Sequence, residues 1–165
     1  MKIRNIIRRF SFRQLFRLSG LLLQNPLYII PTLRATKMTM TICDSLYGNT
    51  HHNNGKANAF RHALWNVLIC QKTYIQSKNE KKSIIWAEKI TDLHEKLAPN
   101  KAIAEAMDLH NNRLGRMYFK TLKTASEEET VAFLKEKTTN ANLIKDIREI
   151  KEFRDDLIYL SDGNN

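Results

Sequence analysis

The chain has 165 residues, of which 42% are hydrophobic, so it is long enough for one domain with its own core. Its only cysteines, Cys43 and Cys70, exclude a disulfide-stapled scaffold and predict a reducing compartment or no dependence on oxidation. The formal net charge of +10 lies mostly in residues 1–37, which hold eight basic and no acidic residues and leave the rest at +2. This distribution favours an anionic membrane surface over nucleic acid as the partner.

The N-terminal segment, residues 1–31, is predicted to be basic, amphipathic and bound to a membrane surface. Ile3, Ile6 and Phe10 recur at helical spacing between arginines. The apolar run from Leu18 to Ile30 is interrupted by polar residues and is too short to span a bilayer comfortably. The expected location is cytoplasmic and peripheral at the inner membrane. Export through a poor signal peptide is the alternative.

The body of the protein, residues 32–160, is predicted to be helical, with residues 161–165 as a frayed tail. Residues 32–46 suit a helix better than a strand, and Pro26 and Pro31 are expected to break the chain before it. Ser126 and Glu129 have the spacing of a capping box, which opens a helix. Further helices are predicted over residues 57–77, 83–97 and 101–122, and a last periodic segment contains Leu143, Ile147, Ile150 and Leu157.

Three prolines and five glycines leave little room for a sheet. The predicted fold is therefore all-α, a single-domain bundle of about five to seven helices with a basic amphipathic N-terminal segment.

A polar stripe runs along the predicted helix 57–77. Asn58, His62 and Asn66 follow one another at intervals of four residues, so they share one face. This face either lines a site or is simply solvated. Trp65 borders the stripe, and a large aromatic ring favours a covered face or a cleft.

Two Asp-Leu-His triplets lie on the next two predicted helices, at residues 92–94 and 108–110. Residues two apart on a helix point about 200° apart, so each triplet directs only one group inward. His94 is expected to point inward, and Glu95 to lie with Glu88 and Asp92 on a solvated outer face. His110 is likewise expected to point inward.

Gly115 follows the second triplet in the middle of its helix. A glycine there costs about 1 kcal/mol relative to alanine, which indicates the close approach of another backbone or of a ligand. His51 and His52 lie in a polar turn and are interpreted as loop residues, with a contact at the rim of a site as the alternative.

The three helices are expected to bring His62, His94 and His110 together. Three imidazoles with an open fourth position would suit a catalytic zinc ion. A metal-free alternative uses one histidine as a general base, oriented by Asp108 or Asn111. A buried polar network that fixes helix register is the structural alternative.

Three motifs, NAFRHALWN at 58–66, WAEKITDLHE at 86–95 and MDLHNNRLGR at 107–116, resemble a bacterial, Bacteroidetes-type domain family of unknown function. That family also occurs as a terminal module of secreted and toxin-like proteins. The resemblance covers roughly residues 47–117 and implies that the motifs belong to one site. Toxin-like contexts favour an enzyme over a scaffold. The matching positions are Asn58, Arg61, His62, Asp92, His94, Asp108, Asn111, Asn112, Gly115 and Arg116.

These observations predict a membrane-associated hydrolase, metal-dependent or histidine-based, that acts on a lipid or phosphoester. The expected catalytic residues are His62, His94, Asp108 and His110, and the expected substrate-binding residues are Asn58, Arg61, Asn111, Asn112 and Arg116. Arg61 or Arg116 is expected to bind an anionic group. The alternatives are a non-catalytic membrane-associated interaction protein with a structural polar core and a basic nuclease.

Overall fold

The computed structural model describes Gly20 and residues 25–97 and 100–161. Within these residues, five α-helices build a single all-α bundle, which confirms the predicted fold class. Three short 3-10 turns connect or flank the helices, at Pro26–Tyr28, Gly48–His52 and Ile147–Glu152. The helices are α1 (Ile29–Tyr47), α2 (Lys56–Ser77), α3 (Glu80–Leu97), α4 (Ala102–Leu122) and α5 (Glu127–Thr139).

Helix α2 is the centre of the bundle and packs against α1, α3, α4 and α5. Its apolar residues, such as Phe60 and Leu64, are buried, and so are Asn58, His62 and Asn66. The solvated interpretation of the polar stripe is therefore wrong. Because helices cover α2 on several sides, its polar groups must find partners inside the protein.

Helix α4 approaches α2 at Gly115. A Cβ atom there would lie 2.4 Å from the carbonyl oxygen of Ala63 and 2.8 Å from Cβ of Asn66. The predicted close approach is confirmed, and its partner is the backbone of α2.

The start of α1 differs from the prediction. Pro31 does not break the helix, because it lies in the first turn, where its missing N–H has no partner to lose. The helix begins at Ile29, and Tyr28 packs edge-on against Trp86 with ring centres 5.4 Å apart. The predicted amphipathic helix at residues 3–10 lies outside the described residues. No helix in the described part of the chain combines the length and hydropathy needed to cross a membrane.

The C-terminal part forms a small sheet where the sequence predicts a helical segment. Strand β1 (Asn142–Leu143) pairs in parallel with β2 (Ile158–Tyr159). Ile144 and Ile158 form an apolar cluster with Met107 of α4. The extended conformation allows Ile144 and Ile158 to be buried against α4, and helical periodicity contains no information about such a contact. The capping box of Ser126 and Glu129 at the start of α5 is confirmed.

Candidate functional site

The His62 imidazole lies on the buried stripe of α2 and has one partner on each ring nitrogen. Nδ1 lies 3.1 Å from Oδ1 of Asn112, an amide oxygen that can only accept, so Nδ1 carries the proton. Nε2 then has the lone pair and accepts a hydrogen bond from Nη2 of Arg61 at 2.8 Å. Asn112 of α4 thus fixes the tautomer of His62.

Two buried carboxylates face this imidazole. Oδ1 of Asp108 lies 3.3 Å from Nε2 of His62, and Oε1 of Glu95 lies 3.6 Å from Nδ1. Asn112 Nδ2 donates to Oε1 of Glu95 at 3.0 Å, whereas Oδ1 of Asp108 has no hydrogen bond among the described residues. Nε2 carries a lone pair in this tautomer, so it cannot donate to an ionised Asp108. We call His62, Glu95 and Asp108 the His62 cluster; one ligand atom from each lies within 4.8 Å of the others.

Burial dominates the proton affinities in this cluster. It raises the pKa of Asp108 to about 8, assisted by the charge of Glu95 and opposed by Arg61. It raises the pKa of Glu95 to about 7, opposed by the Asn112 hydrogen bond and by Arg61. Burial and the Arg61 charge hold the pKa of His62 well below its usual value. Near neutral pH the imidazole is uncharged, and the carboxyl groups have the proton affinity expected of acid–base catalysts.

A cavity of about 270 Å³ reaches the cluster at His62, whereas Glu95 and Asp108 are not among the residues that line it. Arg61 and His62 line it from α2, together with Thr39 of α1 and His94 of α3. A larger cavity, about 400 Å³, lies between α2 and the start of α5 and contains none of the predicted site residues. The smaller cavity is therefore the candidate substrate site.

His94 does not point into the core, contrary to the prediction. Its ring is exposed at the cavity and contacts Trp65 edge-on, with ring centres 5.2 Å apart. Helix α3 instead turns Thr91 and Glu95 inward. The prediction of a solvated Glu95 is wrong as well, because α4 covers this position with Asn112.

His110 and Asn111 hold the C-terminal segment. Nε2 of His110 lies 3.0 Å from the carbonyl oxygen of Asp156. The Asn111 side chain donates to the carbonyl oxygen of Ile158 and accepts from its N–H, at 2.8 and 3.1 Å. The structure records no contact of His110 with His62 or His94 among the described residues. Of the three histidines expected to share one site, His62 and His94 both line the cavity, and His110 is bound to the C-terminal segment instead.

Arg116 connects three helices through its two terminal nitrogens. Its Nη1 donates to Oδ1 of Asn66 and Oγ1 of Thr91, and its Nη2 to Oε1 of Glu88, over 3.2 to 3.4 Å. Arg61, half-buried at the cavity, is the better anion-binding candidate. Asn58 is buried, and its Oδ1 has no hydrogen bond within the described residues.

Sequence reasoning missed two features of this region. The first is the burial of Glu95. The sequence signal for it is the spacing of Glu95 four residues after Thr91 and eight after Ala87, which are both buried on the same face of α3. The other is a second cluster, Asp44, His51 and His52, in which His51 Nε2 lies 2.8 Å from Asp44 Oδ1. His51 is fully buried, and His52 lines the cavity.

A family model described as Domain of unknown function (DUF6973) matches residues 19–142. The predicted membership in a family of unknown function is confirmed. No curated protein and no solved structure matches the chain.

Proposed function

We propose that this chain, which belongs to the DUF6973 family, is a hydrolase that activates water at the His62 cluster. The proposal rests mainly on one observation. Nε2 of His62 and Oδ1 of Asp108 face each other at 3.3 Å, with Arg61 and a cavity beside the imidazole. This arrangement combines a neutral base, a carboxyl group and an anion-binding cation.

A purely structural core predicts satisfied polar groups. The network of Asn66, Thr91 and Arg116 meets this expectation, since each side chain donates or accepts within it. Asp108 does not, because its buried Oδ1 lacks a hydrogen bond among the described residues. An unpaired buried acceptor costs about 1–3 kcal/mol, and such costs are typical of functional sites.

The chemistry that fits best is hydrolysis of a phosphoester, including one in a phospholipid. When Arg61 turns from Nε2 of His62 toward the phosphoryl oxygens, that lone pair becomes free to accept a hydrogen bond from water in the cavity. The water gives this proton to the cluster as its oxygen adds to phosphorus. The ester P–O bond breaks, and the leaving oxygen takes the proton back from the cluster. Arg61 is placed to bind the phosphoryl oxygens and to stabilise the charge that develops on them.

A membrane surface as the place of action is supported by the start of α1. Leu27, Ile30 and Leu33 are 60–78% exposed, and Arg34 and Lys37 are exposed near them. Apolar side chains bordered by basic ones are typical of an element that lies in a lipid interface. The bacterial, toxin-associated family context indicated by the motifs is part of this proposal and favours an enzyme.

The alternative of an interaction protein has one specific observation in its favour. Asn111 and His110, two of the predicted site residues, bind backbone groups of the C-terminal segment. A scaffold predicts that all polar residues of the three motifs have structural roles of this kind.

The test is hydrolysis of bis(p-nitrophenyl) phosphate and of anionic phospholipid vesicles by the purified chain and its variants. We expect turnover that falls by about 10²–10⁴ in Asp108→Asn and His62→Gln, as for loss of a general acid or base. Lys72→Gln, at the larger cavity, is the control and should keep full activity. Far-UV circular dichroism checks the fold of each variant. No hydrolysis of either substrate class, or equal rates in Asp108→Asn and the control, would support the scaffold.

A further inference from the structure

The structure assigns a site for one divalent metal ion, Zn²⁺ or Mn²⁺, to His62, Glu95 and Asp108. Helices α2, α3 and α4 each supply one of these ligands. The use of the ion in catalysis rests on the proposed function, whereas the binding of the ion does not.

The charges of the His62 cluster favour a divalent ion. Glu95 and Asp108 are 5% and 4% exposed, and their ligand atoms lie within 4.8 Å of each other. Two ionised carboxylates so close in a buried site would repel each other strongly, so without a cation at least one of them keeps a proton. The single guanidinium of Arg61 balances only one of them, whereas a divalent ion would balance both.

The spacing and type of the donor atoms fit a metal ion. Ligand atoms around a tetrahedral zinc ion lie about 3.3–3.5 Å apart. Nε2 of His62 and Oδ1 of Asp108 are already 3.3 Å apart. Imidazole nitrogen together with carboxylate oxygen is a donor set that suits Zn²⁺ and Mn²⁺.

Asn112 has the role of an outer partner that orients ligands. Its Oδ1 accepts from Nδ1 of His62, and its Nδ2 donates to Oε1 of Glu95. Metal-bound histidines typically donate their other ring N–H to such an oxygen, which directs the remaining lone pair at the ion.

Two buried oxygens point to a ligand independently of the charge balance. Oδ1 of Asp108 and Oδ1 of Asn58 both lack a hydrogen bond among the described residues. Asn58 lies one helical turn before His62 on the same stripe of α2, which makes its amide oxygen the candidate for a fourth donor.

Arg61 occupies the position that the ion would take at His62. Its Nη2 is 2.8 Å from Nε2, and a guanidinium this close would repel a cation. The side chain is half-buried and lines the cavity, so it has space to swing toward a bound anion. The assignment therefore makes an unusual prediction: removing Arg61 should strengthen metal binding.

The experiment is calorimetric titration of the chelator-treated chain, purified without a histidine tag, with ZnCl₂ and with MnCl₂. We expect one ion per chain. The affinity should fall at least tenfold in Asp108→Asn and Glu95→Gln and rise in Arg61→Met. Asp44→Asn, which changes the second cluster, is the matched control and should retain the ion.

No binding of either ion at about 1 mM, or binding that is lost in Asp44→Asn and kept in Asp108→Asn, would overturn the assignment. A variant that loses its circular dichroism signal is replaced by a measurement on the unaltered chain, the absorption spectrum with bound Co²⁺. Bands of a site with one nitrogen donor, as in the His62 cluster, support the assignment. Bands of a site with two nitrogen donors, as in the second cluster, contradict it. Metal binding without hydrolysis would reject the proposed function alone. Hydrolysis that persists after the chelator treatment, with no ion bound, would reject the use of the ion in catalysis, whereas the titration alone decides whether the site binds it.

Discussion

Asn112 is the residue on which the geometry of the His62 cluster depends most. Its oxygen accepts from Nδ1 of His62 and from Nδ2 of Asn66, at 3.1 and 2.7 Å, and its nitrogen donates to Glu95. An amide is the side chain that supplies both an acceptor and a donor at this position. A residue predicted to bind substrate thus acts as a positioning residue.

His94 and Ile90, one turn apart on α3, provide a prediction at the residue scale. His94 is exposed and contacts the edge of Trp65, so His94→Ala should lower the free energy of unfolding by no more than about 1 kcal/mol. Ile90 is buried, and Ile90→Ala should cost about 2–4 kcal/mol. Urea unfolding measures both. Equal losses in the two variants would show that His94 belongs to the core.

At the scale of the helices, the site exists because α4 lies unusually close to α2. The absence of a side chain at Gly115 lets the backbone of α4 approach Ala63, which brings Asn112 and Asp108 of α4 to His62. This contact fixes the relative position of two of the three elements that carry the cluster.

Gly115→Ala tests this close contact. Its new Cβ would lie 2.4 Å from a backbone oxygen that cannot move aside cheaply, so we expect a loss of several kcal/mol in stability and a lower Tm. Alanine favours a helix over glycine by about 1 kcal/mol, so without the close contact the variant would be more stable. Thermal unfolding measures the change in Tm, and its sign therefore shows whether the close contact at Gly115 exists.

At the scale of the whole molecule, the positive charge is concentrated at the N-terminal end, next to the three most exposed large apolar side chains among the described residues. Residues 1–24 contribute six basic residues, and Leu27, Ile30 and Leu33 follow them as exposed side chains. A bilayer with anionic headgroups would contact both features at once.

Vesicle sedimentation tests this interpretation. A chain that begins at Asn25 keeps Tyr28 and all of α1 but loses the six basic residues, and each of these contributes about 1 kcal/mol near an anionic surface. We expect much weaker binding of the truncated chain and a decrease in binding of the full chain at high salt. The full chain with Leu27, Ile30 and Leu33 changed to serine isolates the apolar contribution. Equal binding of the full and truncated chains would contradict the proposed membrane contact.

The sequence by itself determines the helices, because hydrophobic periodicity and caps are local. The spacing of apolar residues predicts the four helices α1 to α4 to within a few residues, and the capping box of Ser126 predicts the start of α5. The same local pattern places Asn58, His62 and Asn66 on one face. Gly115 can be predicted from the sequence to lie at a close contact, because a glycine in the middle of a helix is destabilising unless its lack of a side chain is required there.

Only the tertiary structure decides which polar groups meet. His94 and Glu95 are neighbours in the chain, and the rotation of α3 against α2 and α4 exposes the first and buries the second. His110 resembles His94 in its triplet, yet the C-terminal segment covers it and provides its hydrogen bond. These outcomes depend on packing between segments far apart in the sequence, and helical periodicity contains no information about such contacts.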